Sequence, residues 1–555
     1  MTGRASKDRF DYVIIGSGSA GSVVAARLAE DPTVSVLLLE AGPADQHLFI
    51  QMPAAVGFPL TNDRFNWFYN SEPEPGLGGR PMYAPRGRVL GGTSSINGMN
   101  WVRGNPWDYD NWDAVGAKGW SYADVLPYFK KSETYDQGPS AYRGGSGPMK
   151  IETSGAENPL FQAFLQAGEE SGLPRAFDHN GYQQEGVHVT QRNIHAGARW
   201  SAAQGYIHAQ PPKPNLTILT GVRVTGIEIS NRRAVRVRTA SKAGDRCFEV
   251  ERETLLCAGA INTPHLLLLS GIGHADDLKQ AGISLTHHLP GVGRGLKDHI
   301  GVSVRYGVST KKVSAARELS LFGKGKLGLE WLLFKKGFGA TNYFETGAFL
   351  RTRDDEPAPN IQFEFNALLG NIAPGSLKAE HGFLYYTSIM RPKSEGRVWL
   401  ESPDPFAAPK FRYNYFADPD DLDQLVEGVR AARRVIAQRA WDRYRGEELD
   451  PSASLQTDDD LRRWVRATGS TGHHPCRTCR MGTDEGAVVD PEGRVRGIDG
   501  LRVIDASIMP EIVTGNTNAA IIMLAEKLAD AIRGQSLAPA RQPYPAGRQP
   551  AQASR

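Results

Sequence analysis

The sequence predicts an α/β fold, and three observations carry the prediction. Residues 11–40 read as a strand, a glycine-rich turn, a helix and a second strand in immediate succession. Glycine supplies 61 of the 555 residues, roughly 11% against a usual ~7%, with no Gly-X-Y period. Length is the third: at about 150 residues per domain, three or four domains fit as a prior, with room for a core that needs no staples. Excess glycine in such a chain points to tight turns and to backbone lying close against a ligand.

Asp11–Ile15 is a short apolar run, and Gly16-Ser-Gly-Ser-Ala-Gly21 follows it at once. Ser22–Glu30 is helical in composition, Asp31-Pro32 ends it, and Val34–Leu39 reads as a buried strand stopping at Glu40. In this Rossmann-like arrangement Gly16 permits the turn, Gly18 lets backbone approach a pyrophosphate, and Gly21 lets helix and strand pack closely. Ser19 and Ala20, within the glycine turn, count with the cofactor-binding residues, and the helix N-terminus beyond them offers free N–H groups and a positive dipole to phosphates. Glu40, followed by Ala41, stands where ribose hydroxyls would be bound. The unit alone does not separate FAD from NAD, and a glycine turn in some other α/β unit stays open.

Charge and cysteine content remove other classes. There are 64 Lys+Arg against 61 Asp+Glu, a net charge of +3, which is no electrostatic footprint for nucleic acid. Four cysteines in so long a chain do not make a disulfide framework, so a reducing compartment is expected. The N-terminal residues lack a signal-type apolar stretch, and no apolar run approaches the ~18–20 residues of a membrane span. The expectation is a cytoplasmic protein.

Residues 87–110, GRVLGGTSSINGMNWVRGNPWDYD, and 259–273, GAINTPHLLLLSGIG, resemble the two signature segments of the glucose–methanol–choline (GMC) oxidoreductases. With GSGSAG at the N-terminus and residues 500–530, the resemblance spans almost the whole chain. EPEPGLGGRPM, GLEWLLFKKGFGATNYFETGAFLR and GLRVIDASIMPEIVTGNTNAAIIMLAEKLAD make it most similar to the choline-oxidising members. The resemblance implies FAD, bound by a domain interrupted by an antiparallel-sheet substrate domain that is α+β in character. It implies a cofactor domain over 8–305, a substrate domain over 306–460, and a return to the cofactor domain over 461–535. Gly91, Gly92, Thr93, Ser94, Asn97 and Gly98 would form the loop against the flavin, where bulky side chains would block approach. Some relatives carry at Ile96 a histidine bonded to the flavin; isoleucine cannot form that bond, so FAD is expected to be non-covalent. Val224 matches a position that contacts adenine, although an ordinary strand valine accounts for it almost as well. Asp505 and Ala506 would meet the ribityl and pyrophosphate region and Thr517 the pyrimidine end of the flavin, with Asn516 counted among the cofactor residues and also fitting as the cap of the terminal helix.

Residues 472–482, GHHPCRTCRMG, resemble the segment carrying the active-site histidine, and register against the proline puts that role on His474. The second member of the pair, His or Asn in the family, is assigned to Asn518. Histidine suits removal of a hydroxyl proton, since its unperturbed pKa near 6.5 leaves it mostly neutral at pH 7. Three residues depart from the family pattern. Arg477 replaces a usual Gly, Gly295 a usual Asn, and His473 an aromatic near the substrate. Cys476-Arg-Thr-Cys479 also reads as CxxC beside two histidines, but no second ligand pair exists, so no metal is expected.

On the substrate side, Glu345 resembles the carboxylate that faces a trimethylammonium group, with Phe344 and Trp67 as candidate cage walls and His473 beside them. Packing in the core explains the two aromatics at least as well. Residues 319–339 mix Lys324, Lys326, Lys335 and Lys336 with Leu, Trp and Phe. They fit either an anionic membrane surface or a packed helix with snorkelling lysines. Residues 536–555, with four prolines and no acid, read as a disordered tail. The expected activity is oxidation of a primary alcohol to an aldehyde, with quinone or oxygen as acceptor and choline as leading substrate. Other alcohols, or a non-redox lyase of hydroxynitrile type, are the alternatives.

Overall fold

The computed structural model describes residues 8–373 and 376–541. Two sheets organise it. The first begins with β1 (Arg9–Ile15) and β2 (Val36–Glu40), joined through helix α1 (Ser19–Leu28). β2 and the second half of β1, Tyr12–Ile15, are buried without alternation because both of their faces are covered, as in parallel sheets flanked by helices. Sheet order runs 216–220, β2, β1, 246–256, 233–241, 222–230. The first four are parallel and the last two form an antiparallel extension.

Strand Arg246–Leu256 pairs with β1 along one edge and with two different partners along the other. Residues 246–249 pair with the antiparallel hairpin, whereas 254–256 pair in parallel with Leu501–Val503 from the far end of the chain. The returning segment is thereby built into the first sheet. It continues into the helix Asn518–Ile532, which packs on α1; Arg27 makes a bidentate bridge to Glu526, with Nε at 2.8 Å and Nη2 at 2.7 Å.

The second sheet is antiparallel, in the order 445–450, 300–308, 383–389, 361–366, 346–350, 186–189. The amphipathic helix Pro419–Ile436 covers it with Leu422, Leu425, Val429 and Val435. The α/β class and the interleaved antiparallel sheet are therefore as the sequence implied. The boundary expected at 305/306 falls inside the continuous strand Ile300–Val308, and both 186–189 and 470–471 also join this sheet.

Of the tail expected over 536–555, residues 542–555 lie outside the described residues. The part before them is tied down: Leu537 N–H donates to Tyr128 Oη at 2.9 Å and Ala540 N–H to the Ala123 carbonyl at 2.8 Å. Helix Leu321–Phe334 is anchored by Leu327 and by Trp331, whose indole N–H donates to the Gly197 carbonyl at 2.7 Å. Phe322, Leu329, Leu332, Leu333 and Phe334 remain 51–85% exposed, so packing absorbs only one face of this helix.

Candidate active site

A cavity of about 1120 Å³ runs from the glycine turn after β1 to the ends of the second-sheet strands. Its first end is a cradle of backbone. A Cβ at Gly21 would lie 1.9 Å from the Gly16 carbonyl oxygen, and one at Gly92 would lie 2.6 Å from the Gly18 Cα. The two glycine loops therefore touch, and only glycine lets them do so. Gly18, Ser19 and Ala20 line the space at the start of α1, and Thr517 and Asn518 line it at the start of Asn518–Ile532. Neither helix has a side-chain cap, so both N-termini present unclaimed N–H groups and converging dipoles to the cavity.

Glu40 ends β2 inside this cradle. Its Oε1 accepts from Gly42 N–H at 2.8 Å, and Oε2 accepts from Ser17 Oγ at 2.6 Å and Ser17 N–H at 3.2 Å. That fixes the carboxylate and leaves lone pairs for a hydroxyl-bearing ligand, while burial pushes its carboxyl above the usual range. Asp505 is anchored likewise by Gly259 N–H, Thr263 Oγ1 and Ser507 N–H. Ala41, Thr93, Asn97, Gly98, Val224, Ala506 and Asn516 also line the cavity. Gly91 and Ser94 do not: Gly91 N–H donates to Ser17, and Ser94 Oγ donates to the Gly91 carbonyl, so both shape the loop from behind. Asn518 Nδ2 is a buried donor without a partner, at the phosphate end of this cradle. Two open helix N-termini, a fixed acid at the strand end and an orphan donor fit a dinucleotide cofactor such as FAD.

At the other end stands His474, which faces two groups. Its Nδ1 is 2.9 Å from Nδ1 of His299, and its Nε2 is 3.2 Å from Nδ2 of Asn516. The partner expected from the sequence was Asn518; both asparagines line the cavity, and it is Asn516 that touches His474 here. Asn518 is the first helical residue and turns back to accept from Ser19 Oγ at 2.6 Å, while Asn516 lies before the helix and reaches His474. Enclosure and the neighbouring His299, His473 and Arg86 hold the His474 imidazolium well below its ordinary pKa.

Glu345 does not face the cavity. Its Oε2 accepts from Ala156 N–H at 2.9 Å and its Oε1 from Thr341 Oγ1, with Arg192 at 3.8 Å, so it braces a loop. The carboxylate that does face the cavity is Glu364, on strand Ile361–Asn366, which the sequence reading missed. Its Oε1 accepts from Asn100 Nδ2 at 2.7 Å and Asn516 Nδ2 at 3.3 Å, and burial pushes its carboxyl up. It forms no ion pair among the described residues. Its only sequence signal is an acid at a polar position of the alternating segment Ile361–Phe365. Phe344 lines the cavity against Gly98. Trp67 also lines it, under the guanidinium of Arg223, 5.1 Å away.

His473 has its ring open to the cavity and a left-handed φ of 65°; enclosure pushes its imidazole down to about 3. Arg477, also left-handed at 76°, does not point at the site. Its guanidinium reaches Glu395 at 2.9 Å, Glu511 at 3.3 Å and the Pro510 carbonyl at 2.7 Å. A Cβ at Gly295 would lie 2.3 Å from its Nη1. The two departures are thus one steric exchange, with the arginine filling the room a side chain at 295 would take. Cys476 and Cys479 are free and buried.

A cradle for a dinucleotide that shares one cavity with a histidine fits a nucleotide-dependent oxidoreductase. The chain belongs to the GMC oxidoreductase family, whose N-terminal model matches residues 10–301 and C-terminal model 392–525. It is similar to oxygen-dependent choline dehydrogenases of Paraburkholderia xenovorans (47% identical over 543 residues, 97% of each chain) and Chromohalobacter salexigens (46% over 535 residues, 96% of each). Among solved structures it is similar to pyridoxine 4-oxidase of Mesorbium loti, with TM-score 0.85, 30% identity, and 95% and 100% of the two chains covered. The formate oxidase of Aspergillus oryzae aligns with TM-score 0.88 and 28% identity over 96% and 99%. The protein is an FAD-dependent alcohol oxidoreductase, taking a small-molecule alcohol and an electron acceptor. No helix among the described residues is long and apolar enough to cross a membrane.

Proposed function

We propose that the chain oxidises a primary alcohol bearing a cationic head, with choline as the leading substrate, to the aldehyde. The observation that carries this reading is the 3.2 Å approach of Asn516 Nδ2 to His474 Nε2 beside the cavity-facing Glu364. A hydroxyl entering between them donates its proton to His474 Nε2 while its oxygen accepts from Asn516, whose dipole favours the developing alkoxide. When bound, FAD supplies the acceptor for the hydride that leaves the carbinol carbon. Glu364 recognises the cation, which lowers the cost of ionising its buried carboxyl, and Phe344 adds an aromatic wall. Ile96, the position where some relatives hold the histidine that links to flavin, is fully buried among Ile50, Phe65 and Val89, which supports non-covalent FAD. Free cysteines favour a cytoplasmic location. The exposed apolar side chains and lysines of 319–339 favour peripheral contact with an anionic membrane, where a quinone would serve as acceptor.

An anaerobic flavin-reduction screen tests the reading. Choline is expected to bleach the flavin, His474→Ala to slow this by about 10³-fold, and Glu364→Gln to raise the half-saturating choline concentration about tenfold while sparing neutral alcohols. Bleaching by neutral alcohols alone would overturn the cationic substrate. Arg86 on the cavity wall, whose Nη2 donates to the His473 carbonyl at 2.8 Å, favours that second reading.

A further inference from the structure

We infer that His299 is a positioning residue that sets which nitrogen of His474 carries the proton. The inference rests on the role proposed for His474. His299 is fully buried, and its Nε2 is 3.2 Å from the Met390 carbonyl oxygen, an acceptor. The hydrogen belongs on that nitrogen, with the Val513 carbonyl as a second acceptor against the ring, and Nδ1 of neutral His299 is then a lone pair. Nδ1 of His474, 2.9 Å away, must then donate to it. The remaining nitrogen of His474, Nε2, is left unprotonated and turned to the cavity.

The far end of the chain of bonds requires the same tautomer independently. Asn516 is oriented by Gln362, whose Nε2 donates to Asn516 Oδ1 at 3.3 Å, and by Glu364 Oε1, which accepts from Asn516 Nδ2. Nδ2 is the atom facing His474, so a hydrogen on His474 Nε2 would set two donors against each other at 3.2 Å. With the alternative tautomer, His299 Nε2 would also set a lone pair against a carbonyl. Both ends exclude it.

The preceding residue holds the backbone of the same histidine. Asp298 Oδ1 accepts from the His474 main-chain N–H, and Oδ2 accepts from Tyr415 Oη at 2.6 Å and from Thr471 Oγ1. Asp298 and His299 together fix the main chain and the ring of His474. Once Nε2 has taken a proton, Nδ1–H still donates to His299, so the imidazolium keeps its partner. His299 passes no proton onward, because its Nε2–H ends on a carbonyl; the proton leaves as it came, through Nε2. The charged or titratable groups acting on this pair are His473 and Arg86 on His474, and Arg391 on His299.

Two measurements on the holoenzyme test this. Histidine ¹⁵N spectra at pH 7, with the His474 signals assigned against His474→Gln, should show Nδ1 protonated and Nε2 bare; the reverse pattern would overturn the inference. His299→Leu should lower the rate of anaerobic flavin reduction about 100-fold with half-saturation and flavin content unchanged. His299→Asn, which restores an acceptor, should recover at least tenfold of that loss. Equal loss in both variants would make His299 merely structural, and a Leu variant within threefold of wild type would remove the role altogether. The spectra read the tautomer whether or not any alcohol reduces the flavin, so failure of the substrate assignment is distinguishable.

Discussion

His474 sits where burial and three neighbouring basic groups disfavour its cation. Its folded pKa is lowered, so the neutral, proton-accepting form persists as pH falls through 6.5 and is lost only in more acid solution. The rate of anaerobic flavin reduction should accordingly still be level as pH falls through 6.5, where a histidine of ordinary pKa would halve it. Stopped-flow traces taken across that pH check this. Asn516 and Asn518 should separate cleanly. Asn516→Ala is expected to slow reduction about 10²-fold with flavin retained, and Asn518→Ala to loosen the flavin, read as release on gel filtration. The sequence could not make that distinction, because GNTN offers two asparagines and only the onset of the helix decides which one turns back to Ser19. Arg477 and Gly295 illustrate the converse, two departures legible in sequence whose link is purely steric. Arg477→Gly alone should cost about 1–3 kcal/mol through the lost bridges to Glu395 and Glu511. Adding Gly295→Asn should cost much less in that background than in the wild type, a coupling measurable by chemical denaturation.

Elements differ in how openly their sequences declared them. β1, α1 and β2 were legible because each carries its own signal, apolar run or glycine spacing, within thirty residues. The wall bearing Glu364 was not, since alternation along strand Ile361–Asn366 fixes which residues share a face but not which face meets the cavity. Glu345 precedes its strand and is captured by Ala156 and Thr341, a loop contact that no spacing encodes. The helix Leu321–Phe334 also lends Lys324, Leu327 and Gly328 to the cavity wall, while Phe322, Leu329 and Leu333 are exposed. Binding to vesicles containing phosphatidylserine should therefore be measurable by co-sedimentation and weaken with salt. Replacing Phe322, Leu329 and Leu333 by Ser should abolish it without altering flavin reduction by soluble alcohol; retained binding would point to another surface.

Across the whole molecule, the glycine excess resolves into contacts between distant loops. Gly16 and Gly21 close the first turn, and Gly92 lies against Gly18 so that residues 74 positions apart share one wall. The domain count suggested by length was too high because the chain crosses between two sheets repeatedly; arithmetic on length assumes units laid end to end. What no stretch of sequence declares is how the ends meet. Ser19 binds Asn518 and Arg27 binds Glu526, each across 499 residues. During synthesis at ~5–20 residues per second, the nucleotide-binding turn is made about 25–100 s before the helix that completes it. Until then the edge of strand Arg246–Leu256 that receives Leu501–Val503 has no partner, and the cradle lacks one of its two helix N-termini. The order of manufacture thus leaves the ribosome-bound chain without a complete cofactor cradle, and one edge of its first sheet unpaired, until residues 501–532 emerge.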